Sequence, residues 1–242
     1  MQAQKIAHWA LLFALPILAT AAQRHHESAA DSAASPGDWH FYNGNLDATR
    51  FSPLRQINRR NVASLREVAR AQLPETTGFV ASPLVVGGRL FVTTPDRTYA
   101  FDATTGRLLW SYDSHPKSAG LGTGNRGAAY AGDRIYRGTP DDRLIALDAR
   151  TGRLLWDIQA FDPAKGEYIV AAPIIWQGKL YVGSAGSDVG AIGHVKAFDV
   201  TDGRQVWNFA NVPASGPGSD TWSGDPSHVR AGGGVYRARR AA

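Results

Sequence analysis

The chain has 242 residues with 26 Lys+Arg, 21 Asp+Glu, 26 Gly, 13 Pro, 7 Trp and no Cys. At 43% hydrophobic and 19% charged it can fill a core, and it is too weakly charged for a disordered acidic or basic chain. The absence of cysteine excludes disulfides, Cys-ligated zinc, iron–sulfur clusters and thiol nucleophiles. Much of the net charge of +5 sits at the two ends, in Lys5 and in the acid-free stretch holding Arg230, Arg237, Arg239 and Arg240. The balanced stretch between Arg24 and Asp225 gives no reason to propose nucleic acid as a partner.

Residues 1–22 read as a secretory signal peptide: a weakly positive start, an apolar run through Trp9, Leu11, Leu12, Phe13 and Leu15, then Ala19, Thr20, Ala21 and Ala22. The apolar run is shorter than the roughly 20 residues a spanning helix requires, so no stable membrane span is expected after processing. Residues 23–37, rich in Ala, Ser, Asp and His, read as a flexible leader.

From residue 38 the chain repeats itself. Ala100-Phe101-Asp102-Ala103-Thr104-Thr105-Gly106-Arg107-Leu108-Leu109-Trp110 aligns without gaps to Ala146-Leu147-Asp148-Ala149-Arg150-Thr151-Gly152-Arg153-Leu154-Leu155-Trp156. The same pattern returns as Ala197-Phe198-Asp199-Val200-Thr201-Asp202-Gly203-Arg204-Gln205-Val206-Trp207. In each unit an apolar residue ends one strand, the Asp bonds the backbone ahead of it, and the Gly supplies positive φ, so the chain reverses into a strand holding the Trp. Upstream of each hairpin lie two further strand-like runs: 82–86 with 89–92, 127–130 with 134–136, and 172–175 with 179–182. Gly87-Gly88, Gly132-Asp133 and Gln177-Gly178 mark the turns between them. Four short strands per repeat of about 40 to 50 residues predict an all-β fold, a β-propeller of about three to four four-stranded blades in a partial ring. Trp110, Trp156 and Trp207 are expected to fill the space between blades.

These repeats resemble the blades of the pyrroloquinoline quinone (PQQ)-dependent alcohol dehydrogenases, periplasmic eight-bladed propellers carrying A-x-D-x-x-T-G-x-x-x-W motifs. The resemblance extends to the opening segment, Asp38-Trp39-His40-Phe41-Tyr42-Asn43-Gly44 with Thr49-Arg50-Phe51-Ser52-Pro53-Leu54, and to Asp220-Thr221-Trp222-Ser223-Gly224-Asp225. It implies propeller blades over 38–225, PQQ as cofactor, and Ca²⁺ ahead of a lanthanide as the metal. It further implies oxidation of a small alcohol to an aldehyde, with electrons passed to a cytochrome or quinone acceptor.

Residue by residue, Asn125-Arg126-Gly127 matches the family's N-R-G segment and makes Arg126 the partner of a PQQ carboxylate; an inter-blade salt bridge is the alternative. Gly183-Ser184-Ala185-Gly186-Ser187-Asp188 matches a stretch that donates contacts around Gly186 and ends in a carboxylate metal ligand. Asp188 stands where Glu is usual, and capping of local backbone is its alternative role. Trp222 matches the flat floor beneath the quinone, with Thr221 a hydroxyl donor beside it.

The family's adjacent cysteines are replaced by Gly120-Leu121, an acidic position by Val80 and a hydroxyl position by Val170. The family's catalytic Asp and completing Asn have no counterpart here, so no catalytic residue is assigned and a truncated, inactive chain is expected. The stretch 226–242 reads as an aberrant basic tail from a disrupted reading frame, with a genuine basic tail as the alternative. The competing reading is a non-catalytic propeller scaffold of the cell envelope. An incomplete ring also leaves open blade edges, through which the chain is expected to self-associate.

Overall fold

The computed structural model describes residues 35–74, 79–117, 124–213, 215, 216 and 219. The signal-peptide segment, most of the leader, Gly120-Leu121, Thr221, Trp222 and the basic tail lie outside them. Among the described residues no helix is long and apolar enough to cross a membrane.

The described residues form fourteen strands, in order: β1 (Phe79–Ser82), β2 (Leu84–Val86), β3 (Arg89–Thr93), β4 (Arg97–Asp102), β5 (Leu108–Asp113), β6 (Asn125–Gly127), β7 (Ala129–Ala131), β8 (Arg134–Gly138), β9 (Arg143–Asp148), β10 (Leu154–Gln159), β11 (Ile174–Trp176), β12 (Lys179–Gly183), β13 (His194–Asp199) and β14 (Gln205–Ala210). They form three antiparallel four-stranded sheets, β2–β5, β7–β10 and β11–β14, each strand beside its sequence neighbour. These are three propeller blades. The first hairpin of each turns through two consecutive positive-φ residues: Gly87 and Gly88, Gly132 and Asp133, Gln177 and Gly178. That backbone matches the right-handed twist of the flanking strands.

The first strand of each blade starts two residues later than the sequence pattern suggests. Pro83 and Pro173 have no N–H to give a ladder, and the residues ahead of the first two blades pair with each other instead, as the parallel couple β1–β6. The opening segment lies across both inner edges. Trp39 exchanges backbone hydrogen bonds with Val85, and the Tyr130 amide donates to His40 O at 3.2 Å.

The repeated motif joins one blade to the next. The Asp102 carboxylate accepts from the amides of Thr104 and Thr105 and from the Thr105 hydroxyl, and Asp148 accepts the same three bonds from Arg150 and Thr151. The turn so fixed is the seat for the preceding blade's indole. Trp110 Nε1 donates to Ala149 O and Trp156 Nε1 to Val200 O, each at 3.1 Å. The glycine following the turn has two reasons to be glycine: its φ is positive, and a Cβ on Gly152 would lie 2.6 Å from the Trp110 ring. Trp207, in the last blade, is 39% exposed, as Ile174, Trp176 and Phe209 on the same sheet are exposed. Between blades the core is apolar, with Leu84, Phe91, Ile135, Ile145 and Leu147 in one cluster and Tyr136, Leu144, Phe161, Ile175, Leu180 and Phe198 in the other.

Candidate functional site

The docking turns occupy one end of the blades. At the other end gather the loops after β3, β8 and β12 and the crossovers from one blade to the next. Here a cleft of about 490 Å³ is lined by Tyr42, Val80, Gly124, Arg126, Tyr168, Val170, Ala185, Gly186, Ser187 and Asp188. Three residues singled out from sequence, Arg126, Gly186 and Asp188, therefore share one cavity. Val80 and Val170 line it too, so these two family departures fall within its wall.

Arg126 reaches the cleft because its neighbours are pinned. The Asn125 side chain is 4% exposed; it accepts from the Thr93 hydroxyl at 2.7 Å and donates to Gly138 O at 3.1 Å, tying β6 to two blades. Gly127 has φ +128° and packs so close to β1 that a Cβ would stand 3.1 Å from Ser82 O. Between them the Arg126 amide donates to Val170 O at 2.9 Å, and its exposed side chain lines the cleft. The N-R-G triplet is thus a pin, a cation and a close-packing residue.

Asp188 lies in a 3-10 turn, Ser187–Val189, bounded by Gly186 at φ +122° and Gly190 at φ +88°. The loop carrying it is anchored by Ala185, which exchanges backbone bonds with Tyr168 on the opposite wall at 2.7 and 3.2 Å. Among the described residues no group of three or more His, Asp or Glu gathers to hold a metal. A cation beside Asp188 therefore needs oxygens from elsewhere. Asp188 and Arg126 are both exposed, and the cleft offers a carboxylate ligand one side chain and a hard cation another.

Sequence reasoning missed the buried polar groups behind the cleft. Asp142 is 1% exposed in left-handed backbone at φ +66°. Its Oδ1 accepts from the Ile169 amide at 3.0 Å, while its buried Oδ2 has no partner. Burial, reinforced by the charges of Asp141 and Glu167 and opposed by the Ile169 amide, pushes the Asp142 carboxyl up to about 7. An upward shift means that its contribution to stability is full below the ordinary carboxylate range and is lost as pH rises through about 7. Asp142→Asn keeps an acceptor for Ile169 and tolerates the left-handed backbone. It is expected to flatten a decline in thermal midpoint between about pH 4 and about pH 7, where one such proton accounts for about 1.4 kcal/mol per pH unit. Equal slopes in the two proteins would sink this assignment.

Consecutive four-stranded antiparallel sheets joined by indole docking, with a cleft holding Arg126 and Asp188 at one end, define a β-propeller. The chain belongs to the PQQ family described as the glucose/ethanol/alcohol dehydrogenase β-propeller domain, which matches residues 39–235. It is 35% identical over 241 residues to quinohemoprotein alcohol dehydrogenase ADH IIB of Pseudomonas putida, covering 93% of this chain and 35% of that protein. It is 34% identical over 218 residues to the lanthanide-dependent methanol dehydrogenase of Methylacidiphilum fumariolicum (strain SolV), covering 78% and 36%. Among solved structures, quinohemoprotein alcohol dehydrogenase ADHIIG of Pseudomonas putida HK5 superposes with TM-score 0.75 at 32% identity, covering 81% of this chain and 31% of that one. The chain thus spans 35% and 36% of the length of these two curated relatives.

Proposed function

We propose that the chain supplies one wall of a PQQ site of the alcohol dehydrogenase type, with Arg126 holding a cofactor carboxylate and Asp188 a cation. The observation that carries this reading is the convergence of Arg126, Gly186 and Asp188 on one cleft from positions up to about 60 residues apart, a distance only the blade packing closes. The bound quinone supplies the hydride-accepting chemistry. The chain's own part is to bind and orient. Arg126 offers a planar, permanently charged donor set to a carboxylate, and Asp188 offers one hard oxygen. With no further acid gathered there among the described residues, a cation draws its remaining oxygens from hydroxyl or backbone groups of the cleft and from the cofactor, so quinone and cation support each other's binding.

Val80 and Val170 present only methyl groups, which makes this wall poorer in donors for a polyanion. The described residues assign no proton acceptor for an alcohol, so the reading is a cofactor-binding part of a dehydrogenase, inactive by itself. Oxidation of a small alcohol with a cytochrome or quinone acceptor, Ca²⁺ as the cation and export to the periplasm belong to the same proposal. By resemblance alone, the same proposal assigns Trp222 to the quinone's floor and Thr221 to a hydroxyl contact.

Titrating the chain with PQQ in the presence of Ca²⁺ tests it through indole fluorescence. Saturable quenching is expected, weakened about tenfold to a hundredfold in Arg126→Ala, which removes a charge-assisted contact worth about 1.5–3 kcal/mol. Absence of quenching in the wild-type chain favours the envelope scaffold instead.

A further inference from the structure

Residues 184–194 leave β12, carry Gly186 and Asp188, and return as β13. Their base is closed twice: the Ser184 amide donates to His194 O, and the His194 amide donates to the Ser184 hydroxyl, each at 2.9 Å. Ser184 is fully buried. From this base the His194 ring meets Glu167 of the opposite wall, with Nδ1 2.6 Å from Oε1. Glu167 is only 4% exposed, and its second oxygen accepts the Asp162 amide at 3.2 Å. Because a carboxylate can only accept, the imidazole proton is on Nδ1.

Three consecutive residues of the wall hold the loop. Gly166 O packs where a Gly186 Cβ would be, only 2.1 Å away; Glu167 holds His194; and Tyr168 pairs with Ala185. The next residue, Ile169, is in turn held by Asp142.

We propose that Glu167 and His194 are positioning residues: their part-buried pair fixes the height of the Asp188 loop against the wall carrying Tyr168 and Val170, and so fixes the width of the cleft. Neither side chain lines the cleft, so they act through the loop. The bond is charge-assisted and largely shielded from water, which makes it strong and geometrically strict. The holding role stands on this geometry alone; its effect on cation affinity rests on the cofactor reading above.

Glu167→Leu and His194→Phe, which fill similar space without the bond, are compared with Glu167→Gln, which keeps one acceptor for His194. Two readouts separate the inference from the reading beneath it. Amide hydrogen exchange is expected to accelerate across 184–193 in the first two variants while β12 and β13 stay protected, and to be largely restored in Glu167→Gln. Apparent Ca²⁺ affinity at saturating PQQ, read by indole fluorescence, is expected to fall about tenfold to a hundredfold in the first two and no more than about threefold in the third, as for residues that orient a metal ligand. Unchanged loop exchange, or acceleration spread equally through the blade, overturns the positioning role. Should wild-type quenching be absent, the cofactor reading fails and the exchange data still decide the role of the pair. If one apolar variant does not fold, the other carries both measurements.

Discussion

Replacing Arg137 with leucine is expected to lower the free energy of unfolding by about 3 to 4 kcal/mol, measured as a shift of the urea midpoint at constant slope. The side chain is fully buried on β8 yet among the described residues has no carboxylate as a hydrogen-bond partner. Its guanidinium donates to Gly138 O at 2.8 Å, to Arg97 O at 2.6 Å and to Pro95 O, so one cation gathers carbonyls from two adjacent blades. Burial pushes its pKa down to about 10, which leaves it protonated at neutral pH. Leucine removes the cost of burying that charge but withdraws bonds from one buried carbonyl, Gly138 O, and two part-buried ones, and each carbonyl left without a partner costs about 1–3 kcal/mol. Lysine keeps the charge without the planar fork and should recover less than half of the loss. A loss under about 1 kcal/mol for Arg137→Leu would show that water or a shifted strand takes over the carbonyls.

The blade joint was legible in sequence because each part acts locally or at the repeat distance. Asp102 and Asp148 close their own turns, Gly106 and Gly152 take positive φ next to them, and each Trp recurs because its seat recurs. Arg126, Gly186 and Asp188 were legible only through resemblance, since nothing local tells a cleft-lining arginine from a surface one. The residues that hold them were not legible at all. Arg137 directly follows the strand-like run 134–136, and two of its three carbonyl partners lie in a different blade. Glu167 and His194 are 27 residues apart and meet only because the crossover into the third blade passes beside its own later loop. Asp142 gave a weak signal: an Asp-Asp pair after Thr-Pro marks a turn, but burial and the unpartnered oxygen come from packing.

Gly186→Ala should do most damage to the site itself. At φ +122° the position is hostile to any L side chain, and a Cβ would stand 2.1 Å from Gly166 O and 2.8 Å from Ala191 Cβ. Backbone blocks the first of these contacts, so no rotamer change relieves it. The Gly186 carbonyl also accepts the amides of Val189 and Ala191 at 2.9 and 3.0 Å, which shape the Asp188 turn. The methyl group must therefore either push the loop off the Tyr168 wall or strain the blade, at about 3 kcal/mol or more in both cases. Gly132→Ala is the control: its φ of +54° carries the same kind of backbone penalty, but a Cβ there meets nothing within 4 Å. That change should cost about 1–2 kcal/mol and leave the response to PQQ and Ca²⁺ intact. Gly186→Ala should abolish the response even below its melting range, because the loop carrying Asp188 cannot return to the wall. If the two alanine variants lose equal stability and both retain quenching, steric closeness at Gly186 does not set the cleft, and the loop must be free to settle elsewhere.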